Sequence, residues 1–381
     1  MCRLRSGIFF VKDKERNKEM AITAAQVKEL REKTGAGMME CKKALTEKDG
    51  DMDAAEQWLK EHGAVKAAKK ANRIAAEGLC CVSVAADNKS AAVVEVNSET
   101  DFVAKNEKFQ AYVKKVADQA LAGNASDLEG FLAEADSEDP SKTVKDTLTD
   151  MIAVIGEKLD IRRFKKVVTD GTVVSYVHGG GKIAVIVEGE GAEGDAVKEA
   201  LTNVAMQVAA MTPQYVSQED ISEAERVQMR DTVLESSLND PFSLPKPILQ
   251  KYLDKAVNEK VWSDADIAAY NEQKNNKFLV NFISDEGKAK LAGLCVADKA
   301  AIAGEKIFSG AVDGRVSKQM KEICLLEQVY VKAADGKQSV KQYLQSVDAG
   351  LKVKSFIRFE TGEGMEKKSE NFAEEVAKQM Q

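Results

Sequence analysis

A pattern of two strands followed by a long helix occurs twice along the chain, and it constrains the fold more than any other feature. The first copy begins GLCCVSVAADNKSAAVVEV at Gly78, and the second begins GTVVSYVHGGGKIAVIVEG at Gly171. In each copy, apolar residues first alternate and then recur every three to four positions. The sequence therefore predicts an α+β protein with two related subdomains, each a small antiparallel sheet covered by helices.

The third strand of each copy is predicted further along the chain. LDIRRFKKVV at 159–168 and KSFIRFET at 354–361 both have strand character. Core subdomain N is therefore expected over 78–168. Core subdomain C is expected in two parts, 169–221 and 326–361, because the residues between these parts have a different pattern.

The intervening segment, 222–325, has mainly helical spacing. Four of the five prolines in the chain lie between 213 and 247, around the start of this segment. Proline interrupts helices and is common in connections, so these prolines indicate a domain boundary. We expect a helical insertion within core subdomain C, either a coiled projection or a larger helical domain.

The two ends of the chain are expected to be helical modules. Residues 20–63 have the spacing of three short helices, and Thr23 is the expected N-cap of the first. The last module, 362–381, ends in a helix that Ser369 would cap. Its apolar stripe consists of Phe372, Ala373, Val376, Ala377 and Met380. Residues 1–19 follow neither pattern and are expected to be a disordered extension.

Charge argues against a general nucleic-acid binder. The net charge is −7 and aromatic residues make up 6% of the chain, so neither a positive surface nor stacking platforms are expected. The basic stretch AVKAAKKANR at 64–73 is an exception. We interpret 64–77 as a linker or solvated helix face, and an RNA contact there is the alternative.

Thiols and imidazoles are few. The six cysteines form no CxxC pair and there are two histidines, which is typical of a reducing, cytoplasmic chain without a metal site or other cofactor. Cys80 and Cys81 are adjacent in a strand, so one is expected to face inwards and the other outwards. No segment approaches the ~18 apolar residues of a membrane span.

The sequence also lacks the common catalytic motifs. It has no GxxxxGK[ST], no GxGxxG after a strand, no HExxH and no GxSxG. HGGGK at 178–182 lies between two predicted strands, and we interpret it as a tight glycine hairpin. A binding protein is therefore favoured over an enzyme, although an unrecognised pair among the 62 acidic residues stays open.

Two further motifs are specific. VKELREKTGAGMMECKKAL at 27–45 and TDFVAKN at 100–106 resemble the translation elongation factor Ts family. IRRF, SYVHGGGKIAVIV, CLLEQVYV and FIRFETGEGMEKKSENFAEEVAKQM continue this resemblance in the same order. It implies a ubiquitin-associated-like helical module at the start, two related core subdomains, an inserted dimerisation module and a closing helical module.

The resemblance also implies a function. Members of that family are guanine-nucleotide exchange factors for the GTPase elongation factor Tu, which bind its GDP form, displace magnesium and GDP, and are released by GTP. This implies a non-enzymatic role in translation elongation, without direct contact with nucleic acid or membrane. A helical adaptor or RNA-binding module without exchange activity is the alternative. A homodimer through 222–325 stays open, because 236–310 is longer than the family's module.

The resemblance assigns functional residues by matching positions. Thr100, Asp101, Phe102 and Val103 match the segment implicated in displacing magnesium, with Asp101 and Phe102 as the wedge. Ser98, Thr100 or Asp101 is expected to cap the helix that begins there. The matched partner-binding residues are Arg31, Met38, Met39, His178, Phe372 and Val376.

For Phe102 and for the pair Met38 and Met39, the sequence also raises the question of whether the side chain is buried or exposed. Most phenylalanines are core residues, so a core role for Phe102 is the alternative to a wedge. Of Met38 and Met39, one is expected in the core and one exposed, because helix neighbours point apart. In the second copy the matching place reads EGEGAEGDAVKEAL, without an acid–aromatic pair. A structural requirement shared by both copies therefore does not explain Asp101 and Phe102.

Overall fold

A computed structural model of the chain describes residues 22–366. It contains helices and two three-stranded antiparallel sheets, so the predicted α+β class is confirmed. The expected extension 1–19 and the helix predicted after Ser369, with Phe372 and Val376, lie outside the described residues. Within 22–366, no helix has both the length and the apolar character needed to cross a bilayer.

The N-terminal module consists of three helices: α1 (Ala24–Thr34), α2 (Met38–Glu47) and α3 (Met52–Lys70). Thr23 caps α1 as predicted, and Gly35 ends it in the left-handed conformation with φ 70°. The side chain of Asp51 caps α3. Helix α3 extends to Lys70, so most of the basic stretch 64–73 is helical. The buried core consists of Val27, Leu30, Ala36, Cys41, Ala44, Leu45 and Ala55.

Core subdomain N is a sheet of order β1-β2-β3 with helices on one face. Its elements are β1 (Glu77–Val84), β2 (Ser90–Ser98), α4 (Asp101–Ala104), α5 (Glu107–Ala122), α6 (Leu128–Ala133), α7 (Val144–Ile155) and β3 (Leu159–Val168). The predicted helix after β2 is therefore two helices. Asn106 separates them, because its side chain caps α5 by accepting hydrogen bonds from the amides of Lys108 and Phe109. The fully buried Phe109 ring then anchors α5 in the core.

Core subdomain C repeats this arrangement with the strand order β4-β5-β6. Its elements are β4 (Thr172–His178), β5 (Ile183–Glu190) and α8 (Asp195–Met211), followed after an insertion by α15 (Val340–Val347) and β6 (Lys352–Glu360). HGGGK forms the turn between β4 and β5. Gly179, Gly180 and Gly181 have φ values of 60°, 64° and 100°, which confirms the predicted glycine hairpin.

The insertion is a packed helical domain with its own core. Its helices are α9 (Glu223–Asn239), α10 (Lys246–Asn258), α11 (Asp264–Gln273), α12 (Asp285–Ala297), α13 (Lys299–Ala303) and α14 (Lys306–Ile323). Tyr252 and Trp262 are buried in this core, and Trp262 Nε1 donates a hydrogen bond to the carbonyl of Gly287 at 2.7 Å. The two ends of the insertion meet at a parallel bridge between Tyr215 and Cys324. The helical domain is therefore added to subdomain C at one point.

The two sheets pack face to face, and their interface is apolar. It consists of Cys80, Ala91, Val93, Val173, Ala184, Ile186 and Phe359. Cys81 points to the other face of β1, where it is half-buried against the core beneath α5. The expectation that one of the adjacent thiols faces outwards is wrong, because both faces of β1 are covered. Burial raises the pKa of the Cys80 thiol to about 12.

A buried carboxylate also joins the two subdomains. Glu95 on β2 is fully buried and forms ion pairs with Arg162 and Arg163 of β3. It accepts a further hydrogen bond from the amide of Gly362 at 2.8 Å, just after β6. These partners satisfy a charge whose burial would otherwise be costly. The Arg163 guanidinium also lies 4.1 Å from the centre of the Phe359 ring.

Candidate functional site

Helix α4 exposes one apolar side chain and buries the next two. Phe102 is 78% exposed, whereas Val103 and Ala104 are buried in the core beneath α5. These two buried residues attach the short helix to subdomain N, so that the Phe102 ring projects from the surface. Phe102 is therefore not a core residue.

Asp101 and Phe102 form the α4 tip, and both lie close to Lys105. The Lys105 Nζ donates a hydrogen bond to Asp101 Oδ2 at 2.8 Å and lies 5.8 Å from the centre of the Phe102 ring. The hydrogen bond from Lys105, with the charges of Lys105 and Lys182, holds the pKa of Asp101 below its usual value. The tip thus presents an ionised carboxylate beside an aromatic ring.

Crossed contacts hold the two residues that precede this tip. Glu157, in the turn between α7 and β3, accepts hydrogen bonds from Thr100 N at 3.1 Å and from Thr100 Oγ1 at 2.9 Å. In the opposite direction, Glu99 accepts a hydrogen bond from the amide of Lys158 at 2.6 Å. Arg73 Nη1 donates to both Glu99 oxygens, at 3.2 and 3.3 Å. We call Arg73, Glu99, Thr100, Glu157 and Lys158 the loop clamp.

The loop clamp replaces the helix cap that the sequence predicts. Thr100 occupies the N-cap position of α4, but its hydroxyl donates to Glu157 and makes no capping bond. Ser98 Oγ donates to the carbonyl of Thr100 at 3.0 Å, and Asp101 pairs with Lys105. The expectation that one of these three side chains caps the helix is therefore wrong, because each has another partner.

The exposed residues of the N-terminal module form a second surface. Met38 is 58% exposed and Met39 is 75% exposed, so the expectation that one of them is a core residue is wrong. They lie in the first turn of α2, and Met39 borders a groove that Trp58 and Leu59 of α3 also line. The smaller Cys41 and Ala44, one turn later, fill the core. Arg31 is also exposed, at the end of α1.

His178 lies in the β4–β5 turn of subdomain C, and this turn is attached to subdomain N. The imidazole is exposed, and its Nδ1 is 2.9 Å from the hydroxyl of Tyr176. The amide of Cys80 on β1 donates a hydrogen bond to the carbonyl of Gly181 at 2.7 Å. Lys182, which follows, donates a hydrogen bond from Nζ to Glu77 Oε2 of β1 at 2.6 Å. The His178 turn of subdomain C is therefore attached to β1, the first strand of subdomain N.

Two family models match the chain. Residues 99–363 match the family described as Elongation factor TS, and residues 15–67 match the one described as Elongation factor Ts, mitochondrial, N-terminal. The chain belongs to the elongation factor Ts family. The resemblance that the GAGMM and TDFVAKN motifs indicate is therefore confirmed, and the matched ranges contain the α4 tip, His178 and the exposed methionines.

Full-length relatives of the elongation factor Ts family are similar along nearly the whole chain. Elongation factor Ts of Clostridioides difficile (strain 630) is 44% identical over 362 residues, which cover 94% of this chain and 99% of the relative. Elongation factor Ts of Clostridium tetani (strain Massachusetts / E88) is 41% identical, with 94% and 100% covered. Elongation factor Ts of Clostridium novyi (strain NT) is 39% identical, with 94% and 99% covered. The chain is accordingly a translation elongation factor.

Proposed function

We propose that the chain is a guanine-nucleotide exchange factor for elongation factor Tu. The observation that carries this proposal is the exposed Phe102 ring, which projects from a helical turn whose next two residues are buried. An aromatic side chain presented in this way is suited to insertion into a partner. The chain makes and breaks no covalent bond in this role, and its activity comes from binding.

In the proposed mechanism, the α4 tip enters the nucleotide site of the GTPase and displaces magnesium and GDP. Burying the Phe102 ring in a partner pocket would contribute roughly 1.5–3 kcal/mol. Asp101 is ionised at neutral pH, as an exposed carboxyl ordinarily is, and the hydrogen bond from Lys105 lowers its pKa further. A carboxylate placed beside bound phosphates opposes their binding through like-charge repulsion. GTP then binds the empty site and releases the factor.

The tip alone is not sufficient for rapid exchange. Accelerating GDP release about 10,000-fold requires lowering the barrier by about 5.5 kcal/mol, at about 1.36 kcal/mol per decade. We assign the rest of this reduction in the barrier to a wider contact surface between the chain and the GTPase. Its proposed members are Arg31, Met38, Met39 and His178, together with Phe372 and Val376 beyond the described residues.

Reciprocal coupling provides the test of this function. If the chain weakens GDP binding to elongation factor Tu, then GDP must weaken binding of the chain by the same factor. We expect substoichiometric chain to accelerate the release of fluorescent GDP from elongation factor Tu, and added GDP to dissociate the complex. Equal affinity for the empty and GDP-loaded GTPase would contradict the mechanism.

The alternative RNA-binding role has less support, because three of the four basic side chains of 64–73 have partners within the protein. Lys66 pairs with Glu40, Lys70 donates to the carbonyl of Gly156, and Arg73 pairs with Glu99. We therefore propose no direct nucleic-acid contact. A cytoplasmic location and a homodimer through 222–325 stay predictions.

A further inference from the structure

The α4 tip needs a support that its own residues do not provide. Helix α4 has four residues and no side-chain cap, and a helix of this length is not stable by itself. A tip that acts on a partner must be ordered before contact, because ordering it during binding opposes association. The residues that hold Glu99 and Thr100 in place therefore affect how well the tip is ordered before it meets a partner.

Glu157 provides this support from a distant part of the sequence. Its two carboxylate oxygens accept separate hydrogen bonds from the amide and hydroxyl of Thr100, which directly precedes the tip. Two contacts to one residue restrict both its position and its orientation. The bond between the Lys158 amide and Glu99 adds a second, oppositely directed connection. Together they fix the chain direction at the start of α4.

The same support is connected to the N-terminal module through the end of α3. Lys70, the last residue of α3, donates to the carbonyl of Gly156, immediately before Glu157. Lys158 Nζ donates to the carbonyl of Arg73 at 2.9 Å, while the Arg73 guanidinium pairs with Glu99. The end of α3 and the residues after it are thus bonded both to Glu99, which precedes the α4 tip, and to the turn at 156–158.

We propose that Glu157 is a positioning residue for nucleotide displacement, which acts through Thr100 on the Asp101–Phe102 tip. This inference rests on the exchange function proposed above. Glu157 holds the tip in the orientation in which it enters the GTPase. The loop clamp also ties this orientation to the N-terminal module, whose exposed methionines contact the same partner in the proposed complex.

The Glu157→Gln variant tests this role. A glutamine side chain carries no charge and has an NH2 group in place of one carboxylate oxygen, so the pair of charge-assisted hydrogen bonds that the two Glu157 oxygens accept from Thr100 is lost. We expect the maximal rate of fluorescent-GDP release from elongation factor Tu to fall about tenfold, as expected when a reacting group is misplaced. The melting temperature should stay the same. Thr100→Val, which removes only the hydroxyl contact, should give an intermediate rate.

A combined variant separates positioning from general structural support. In a background in which both tip residues are replaced, Asp101→Ala with Phe102→Ala, Glu157→Gln should have little further effect on exchange, because its route through the tip is already removed. Independent, multiplicative losses would overturn the proposal. Glu138→Gln is the matched control, since Glu138 belongs to the same subdomain, is exposed and pairs with Lys115. It should leave the exchange rate unchanged.

Hydrogen exchange on the free chain gives a readout that needs no partner. Glu157→Gln should accelerate amide exchange at 99–103, whereas Glu138→Gln should not. Unchanged protection at 99–103 would overturn the positioning role even if the chain is an active exchange factor. Conversely, a wild-type chain that does not accelerate GDP release would refute the exchange function, whatever the protection at these residues.

Discussion

Phe102 and Val103 are consecutive residues of one helical turn, yet Phe102 is 78% exposed and Val103 is 8% exposed. Val103 belongs to the core beneath α5, whereas the Phe102 ring projects away from it. The buried Val103 side chain thus attaches α4 to the core, whereas the exposed Phe102 ring is available for contact with a partner. Changes at the two kinds of position should consequently affect different measurements.

Replacing Phe102 with alanine should slow exchange without destabilising the protein. Surface substitutions usually change the free energy of unfolding by no more than about 0.5 kcal/mol. The loss of a buried aromatic contact with the partner should lower the rate of fluorescent-GDP release by about tenfold or more. In contrast, Phe109→Ala removes a fully buried ring and should cost about 3–5 kcal/mol of stability. A large drop in melting temperature for Phe102→Ala would contradict the exposed placement.

Met39→Ala should weaken binding to elongation factor Tu while leaving the melting temperature unchanged. Met39 is 75% exposed at the start of α2, and exposed methionines provide adaptable contact surface. The comparison is Leu45→Ala on the same helix, which removes a fully buried side chain and should cost about 2–5 kcal/mol. Calorimetric titration of nucleotide-free elongation factor Tu measures the effect. Unaltered affinity for Met39→Ala would exclude this face from the interface.

Alanine substitutions at different glycines of the HGGGK turn should lower the free energy of unfolding by different amounts. At Gly181 an added Cβ would lie 2.8 Å from Leu79 Cδ2 and 3.2 Å from the carbonyl oxygen of Cys80, so the Leu79 side chain would have to turn aside and the backbone of β1 would have to shift slightly. Gly180 has φ 64°, within the left-handed region, against 100° at Gly181, and has open space around it, so Gly180→Ala should cost only about 1–2 kcal/mol. Chemical denaturation should therefore show a clearly larger loss for Gly181→Ala. Equal losses would mean that close approach to β1 is unimportant.

Asp136 should contribute stability that disappears in acid. Burial alone would raise the pKa of this carboxyl, but hydrogen bonds from Lys115 and from the amides of Asp139 and Glu138 outweigh it and lower the pKa below 3.8. The ionised form therefore stabilises the folded state above about pH 4, and this contribution is lost as the pH falls through the lowered pKa. Asp136→Asn should cost about 1.5–3 kcal/mol at neutral pH, as for other hydrogen bonds to charged groups. Urea unfolding should show this difference shrinking as the solution is acidified, whereas a difference independent of pH would contradict the assignment.

The features that sequence could predict are those specified by nearby residues. The Thr23 cap, the end of α1 at Gly35 and the glycine hairpin each depend on residues a few positions apart, and all three are present. The strands and helices of the two copies likewise follow from local periodicity. The family motifs also predict the α4 tip as a contact with a partner, which periodicity alone could not indicate.

The features that sequence did not predict depend on contacts between distant residues. Glu157 and Thr100 are 57 positions apart, and neither lies in a pattern that pairs it with the other. The sequence does contain a signal that both faces of the sheets are covered. AAVV and IAVIV are nearly continuous apolar runs, which are typical of strands buried on both faces. The predicted alternation is present, because Cys80 and Cys81 point to opposite faces of β1. The expected exposure of Cys81 is wrong, because the second face is also covered. The prediction that either Met38 or Met39 is buried is wrong because helical periodicity does not show where a module's core ends.

The bond between Glu95 and the amide of Gly362 spans 267 positions of the chain. A ribosome adds about 5–20 residues per second in the order of the sequence, so about 15–50 s separate the synthesis of these two residues. During that time β2 carries a carboxylate that one of its native partners has not yet reached. The first subdomain therefore acquires its complete set of interactions only when almost the whole polypeptide has been made.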